Sequence, residues 1–318
     1  MSVTPLTARA GGLVPLGEAV ARFLERYRDQ PATATTYGET LAHLLAVTGD
    51  AMPVAALTRQ LCAKVMRRWD QRAPATWNKH LAALRSLAGY ALRQEWIHTD
   101  PTRHLERRKT TSRGDKTIPA ARLDKLFTDD RAALRERVLW RMAYETAARA
   151  EEVLTLDIPD LDLQFRRALT RSKGGDREYL HWATATARLL PRLLTGRTTG
   201  PVFLAERRSP AAGNRARALA DVDPATGRGR LSYPRAEYLF KQASTRHDPH
   251  GIGWTLHQLR HSALGHLAAS GRSAPELQAK SRHKHLATLG HYVRLGEETS
   301  ARITAEHDTH NRRRNQLT

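Results

Sequence analysis

Two side chains able to act on a phosphate sit three positions apart, His257 and Arg260, in the stretch Trp254-Thr255-Leu256-His257-Gln258-Leu259-Arg260-His261-Ser262. Thr255 with Gln258 three residues later fits a capping box, and Leu256, Leu259 and Leu264 follow at roughly helical spacing. On a helix that opens here, residues three apart leave the same face and can converge on one target. An imidazole that handles protons beside a guanidinium that grips two anionic oxygens suits a phosphodiester. Such pairs also decorate many solvated helix faces, so the pair alone defines no site.

Composition bounds what the pair could serve. Lys plus Arg number 52 against 32 for Asp plus Glu, a formal net charge of +20 spread along all 318 residues. That excess repels itself in a compact state unless a polyanion screens it, which favours nucleic acid as partner over a generic basic protein or one with a basic tail. The chain is long enough for two cores. Its single cysteine, Cys62, excludes an internal disulfide framework and a cysteine-rich zinc site, and its apolar neighbours make it a buried residue. No run reaches the ~18 apolar residues of a membrane span and no signal segment opens the sequence, so a cytoplasmic, nucleoid-associated protein is expected.

The elements that must position these residues are mostly helical. Residues 1–16 read as a loose leader. Amphipathic patterns predict helices over 17–28, 36–47, 58–69 and 77–95, the second opened by a Thr36–Glu39 capping box, with Pro31, Thr48-Gly49-Asp50 and Pro101 as breaks. Four helices within residues 1–103 make a self-sufficient bundle. Residues 104–116 are basic and poor in apolar side chains, an interdomain linker by composition. The second domain, 117–318, carries helices over 120–127, 132–145, 184–194, 235–243, 256–269 and 274–279. Two strands, 167–170 and 178–182, flank a turn at Lys173-Gly174-Gly175-Asp176. Residues 206–229 read as an exposed insertion. The expected fold is mainly α with a small β-sheet in the C-terminal domain, a two-domain clamp.

Four separated motifs then line up: Tyr144-Glu145-Thr146-Ala147-Ala148-Arg149-Ala150-Glu151-Glu152-Val153-Leu154; Ser172-Lys173-Gly174-Gly175; His257-Gln258-Leu259-Arg260-His261-Ser262; and Arg282-His283-Lys284-His285 running to Gly290-His291-Tyr292. Together they resemble the catalytic domain of the tyrosine recombinases, the phage-integrase family, whose ordered set is Arg, Lys, His-x-x-Arg, His or Trp, then Tyr nine residues on. His283 and Tyr292 keep that spacing. Residues 76–101 likewise resemble the last long helix, and the exit, of the family's N-terminal DNA-binding bundle. Each motif alone is common; their order and spacing together are specific.

The resemblance implies a site-specific recombinase or integrase of a mobile element acting on double-stranded DNA, with no metal or other cofactor. It implies a homotetramer in the synaptic complex, and accessory DNA-bending or directionality proteins as further partners. Tyr292 would attack the phosphorus to give a 3′-phosphotyrosyl link, Arg149 and Arg260 would grip the non-bridging oxygens, and His283 would add a hydrogen bond. Lys173 would protonate the leaving 5′-oxygen and His257 would accept the tyrosine proton. Glu152 would orient Arg149, and His261 would support.

Two departures stand out. Ala147 replaces a frequent glycine two positions before the first arginine, and Ser281-Arg282 replaces the usual Leu-Gly before the fourth-motif histidine. Arg282 could disturb a tight backbone approach or could add a phosphate contact. The late histidines (His247, His250, His257, His261, His266, His283, His285, His291) raise a metal site as a rival, but no His-Glu-x-x-His pattern accompanies them. A type IB topoisomerase-like relaxing enzyme and a non-catalytic DNA-binding protein are the remaining alternatives. The segment after Tyr292, ending in Arg312-Arg313-Arg314, could dock on a neighbouring protomer or trail as a basic tail.

Overall fold

The computed structural model describes residues 14–110, 117–171, 177–210, 218–290 and 304–305. The chain divides into two compact units, Met1–Arg113 and Gly114–Thr318.

The first unit is a helical bundle of α1 (Leu16–Glu25), α2 (Pro31–Thr48), α3 (Arg59–Met66) and α4 (Pro74–Arg93). Leu16, Phe23, Leu41, Leu44, Met66 and Leu81 are fully buried between them. Phe23, Tyr27, Tyr37 and Tyr90 add an aromatic group with centroids 5.2–5.8 Å apart. Cys62 lies in this core as expected, and burial pushes its thiol up to about 12. Two helix starts differ from those the sequence suggests. The second begins at Pro31 rather than at the Thr36–Glu39 pair, and the fourth at Pro74 rather than 77. Proline fits the first helical turn, where its missing N–H would find no partner, so it opens these helices as well as ending what precedes them.

Residues 105–108, expected to be solvated linker, lie against α4. Asn78 exchanges two hydrogen bonds with the backbone of Arg108, both 2.8 Å. The Arg108 guanidinium stacks 3.7 Å from the centroid of Trp77 and pairs with Asp70 at 2.8 Å.

The second unit comprises α5 (Ala120–Thr128), α6 (Leu134–Glu145), α7 (Ala150–Leu154), β1 (Leu161–Asp162), β2 (Arg167–Arg171), β3 (Arg177–His181), α8 (Thr184–Leu194), β4 (Leu204–Arg208), β5 (Arg228–Arg230), α9 (Tyr233–Ser244), α10 (Leu256–Ala269) and α11 (Ala274–Ser281). Strands β1-β2-β3 form an antiparallel sheet in that order, with Leu169 opposite Tyr179. Strands β4 and β5 form a second antiparallel pair at the two ends of residues 206–229, where the sequence suggests only an exposed insertion. The core is built on Trp140, Phe203 and Phe240.

A separate small cluster of Ala147, Ala263, Leu264, Leu277 and Leu289 joins the α6–α7 turn to α10 and α11. It is the apolar floor on which the candidate residues stand. Leu264 and Leu277 are fully buried there, each worth roughly 1.5–3 kcal/mol relative to exposure.

Candidate active site

Arg149 sits at the N-cap of the short α7, directly after a turn in which Ala147 takes a left-handed backbone with φ +49°. That turn ends α6 and reverses the chain, so Arg149 is delivered at the mouth of the cluster rather than into the core. Glu152 fixes it twice: Oε1 accepts from Arg149 Nη1 at 2.7 Å and Oε2 accepts from the Arg149 backbone N–H at 3.0 Å. Even so, 46% of the Arg149 side chain remains exposed, against 8% for Glu152.

Arg260 comes from α10 and is only 2% exposed. Its Nη1 donates to the Ala147 carbonyl at 2.7 Å and its Nη2 to the Ser281 carbonyl at 2.8 Å. One guanidinium thus ties the turn before Arg149 to the end of α11, and the planar fork fixes both at once.

His283 follows α11 by two residues. Its Nδ1 lies 2.6 Å from the buried Ser281 hydroxyl, and its Nε2 lies 3.2 Å from Arg260 Nη2. Gln278 donates to the His283 carbonyl at 2.9 Å and holds the backbone in place. Burial, then the charges of Arg260, Arg149 and Arg282, lower the His283 pKa to about 4. The ring is therefore neutral at pH 7, with one nitrogen free to accept from Arg260.

The Glu152 carboxyl is buried, which alone would raise its pKa; the hydrogen bonds and charges of Arg149 and Arg282 outweigh that and hold it below the ordinary range. It stays an anion among cations.

His257 is exposed on the first turn of α10, and its ring meets that of His261 edge to face at 4.6 Å. The helix start itself matches the sequence reading, with Gln258 Oε1 accepting from the Thr255 backbone N–H at 2.8 Å. Arg149, Glu152, Arg260 and His283 thus come together from the start of α7, from α10 and from the turn after α11, with His257 and His261 on the same helix as Arg260. Lys173 and Tyr292 lie outside the described residues.

Arg282, noted in the sequence only as a departure, is turned inward onto Glu152 at 3.0 Å with 7% of its side chain exposed. The carbonyls of Ala147 and Ser281 also take part, and no side-chain pattern could have marked a backbone oxygen. Among the described residues no group of three or more His, Cys, Asp or Glu side chains is placed to hold a metal ion. No described helix is long and apolar enough to cross a membrane.

This fold, with its cluster of arginines around a neutral histidine, is similar to that of the tyrosine recombinases. Residues 117–299 match the phage integrase family, and the chain belongs to that family. It is 28% identical over 306 residues, 90% of this chain and 94% of its relative, to the tyrosine recombinase XerC of Mycobacterium sp. (strain KMS). A solved Tn1549 transposon integrase in complex with circular intermediate DNA matches with a TM-score of 0.67 over 92% of this chain and 99% of that one, at 14% identity. A lambda integrase tetramer bound to a Holliday junction matches with a TM-score of 0.65 over 89% and 82%, at 17% identity.

Proposed function

We propose that the chain is a site-specific DNA recombinase that cleaves and rejoins strands through a 3′-phosphotyrosyl intermediate. The observation that carries the reading is the placement of His283 beside Arg260, with Arg149 close enough to help depress its pKa. Guanidiniums fixed before any substrate arrives suit a reaction in which negative charge builds on phosphate oxygens.

In this reading the Tyr292 oxygen attacks phosphorus, forming the tyrosyl–phosphate bond as the bond to the 5′-oxygen breaks. Arg149, with its exposed fork, takes one non-bridging oxygen, while Arg260 and His283 act on the second from the floor of the site. His257 accepts the tyrosine proton and Lys173 supplies a proton to the leaving oxygen. His261 supports His257 through their ring contact. The phosphodiester energy is kept in the tyrosyl link, so rejoining to another strand requires no ATP, and no step calls on a metal ion.

Double-stranded DNA as partner is supported by the net charge of +20 and by the face of α4. There a shallow groove lined by Ala82, Arg85, Gly89, Arg93 and Arg107 joins a second bearing Lys79 and Lys109. Small side chains flanked by long cations let a phosphate backbone approach closely. The working assembly in this reading is a homotetramer on two sites, with accessory DNA-bending or directionality proteins, serving a mobile element.

The test is a nicked duplex carrying the DNA that flanks the coding region, which traps the cleaved strand. Wild-type protein should accumulate a covalent protein–DNA adduct; binding without any adduct would overturn the reading.

A further inference from the structure

Arg282 occupies a backbone position that side chains other than glycine rarely adopt, with φ +58° at the C-cap of α11. The left-handed conformation crowds the Cβ of an ordinary residue against its own backbone. A glycine would make the same turn without that crowding, so the contacts of the Arg282 side chain bear on why it stands there.

That side chain is not on the surface. Its Nη2 donates to Glu152 Oε2 at 3.0 Å, and its Nη1 donates to the Lys280 carbonyl at 3.0 Å and the Thr146 carbonyl at 3.4 Å. Its Nε is buried without a hydrogen bond and faces Glu178 of β3 at 3.8 Å, an ionic separation. Glu152 is therefore shared by two guanidiniums of different kinds. Arg282 is buried with its Nη atoms on protein oxygens, whereas Arg149 is half open.

The consequence is a matter of charge. Glu152 with Arg149 alone would be a neutral ion pair, and the carboxylate would offset the positive field that Arg149 offers an incoming anion. A second cation on the same carboxylate leaves the trio with one net positive charge, offset only in part by the more distant and more exposed Glu178 at 3.8 Å, and the exposed member of the trio is Arg149.

We propose that Arg282 is a positioning residue of the cleavage site: as the buried counter-ion of Glu152, it lets that carboxylate hold Arg149 in place without cancelling the charge Arg149 presents to the phosphate. The proposal rests on the recombinase reading for its reaction, but its electrostatic content stands on the geometry. The plainer role, a staple between the end of α11 and the α6–α7 turn, makes a different forecast. A staple acts through the Thr146 and Lys280 carbonyls and is indifferent to the charge on Glu152.

The experiment compares wild type, R282G, E152Q and the double variant as full chains on the nicked duplex. It reads single-turnover adduct formation, DNA affinity and thermal melting. Arg282→Gly should slow cleavage by about tenfold or more while affinity stays within about threefold, and in the Glu152→Gln background the same change should cost about threefold or less. An equal loss in both backgrounds, or none in either, overturns the proposal. Should Arg282→Gly melt below the assay temperature, R282K and R282Q replace it, since both keep a side chain on the same backbone. The lysine variant should cleave faster than the glutamine variant by about tenfold, and equal rates overturn the proposal. A separate readout needs no reaction: histidine NMR should show the His283 midpoint, about 4 in wild type, moving upward in the variant that lacks the Arg282 charge. If wild type forms no adduct, the recombinase reading falls while this titration still decides the placement of Arg282; an unmoved midpoint overturns it.

Discussion

Nη2 of Arg260 lies 3.2 Å from Nε2 of His283, a contact that a neutral imidazole accepts and an imidazolium repels. The consequence runs to stability as well as to chemistry. Because the folded-state pKa is lowered, to about 4, the unfolded chain takes up the proton first as pH falls. The stabilisation is therefore fully present above the unfolded value of roughly 6.5 and is lost progressively as pH drops toward the folded one. Urea unfolding at pH 7, 5.5 and 4.5 should show a falling midpoint, and His283→Gln should flatten part of that fall. Burial lowers the pKa of His80 as well, so the variant should not abolish the trend.

Arg149 and Arg260 should fail in different ways. With 46% of its side chain exposed, Arg149 can be truncated to alanine with little effect on folding. Cleavage should slow by roughly 100- to 1,000-fold, as for loss of one oxyanion donor, with melting nearly unchanged. Single-turnover rates and melting curves on the same preparation check both halves.

Arg260→Ala leaves the Ala147 and Ser281 carbonyls without their donor in a buried setting. Each orphaned group costs about 1–3 kcal/mol, so this variant should lose stability as well as activity. Arg260→Lys should recover some stability but not the two-pronged contact. Denaturant unfolding midpoints that match wild type would contradict the staple.

The sequence and structure agree where the signal is local. The start of α10 follows from Thr255 and Gln258, four residues of chain, and the hairpin of β2 and β3 from its flanking alternation. The start of α2 did not, because Thr36 and Glu39 imitate a cap inside a helix that Pro31 has already opened. Strand β4 ends in Glu206-Arg207-Arg208, with no alternation to betray it, and pairs with a segment twenty residues on. The order of the motifs points to Arg149, Glu152, Arg260 and His283, whereas the Arg282–Glu152 pair spans 130 residues and exists only in the folded chain. Long-range ion pairs leave no periodicity.

Ala147 tests the turn that delivers Arg149. Its φ of +49° favours glycine, yet its methyl group is fully buried in the apolar floor. Relief of strain and loss of packing should nearly cancel, so Ala147→Gly should shift stability by less than about 1 kcal/mol. Ala147→Val combines a branched side chain with a crowded site and should cost about 1–3 kcal/mol or more. Unfolding free energies of the two variants check the sign.

DNA affinity should fall steeply with salt, because each phosphate neutralised releases condensed counterions and steepens the slope by ~0.9. Replacing Arg85 and Arg93 on α4 by alanine should make the log–log plot shallower by about 1–2 without changing which sequence is preferred. A slope that both substitutions leave intact would place the phosphate contacts elsewhere.

Tyr292 is the nucleophile of the proposed reaction. Tyr292→Phe keeps the ring and removes one oxygen, so the nicked-duplex assay isolates the reaction from binding. Wild type should give a covalent adduct stable to denaturant, and Tyr292→Phe should give none while binding the same duplex with affinity within about fivefold, since a single hydroxyl contributes ~1 kcal/mol or less to a contact of this size. An adduct that persists in Tyr292→Phe would contradict the account.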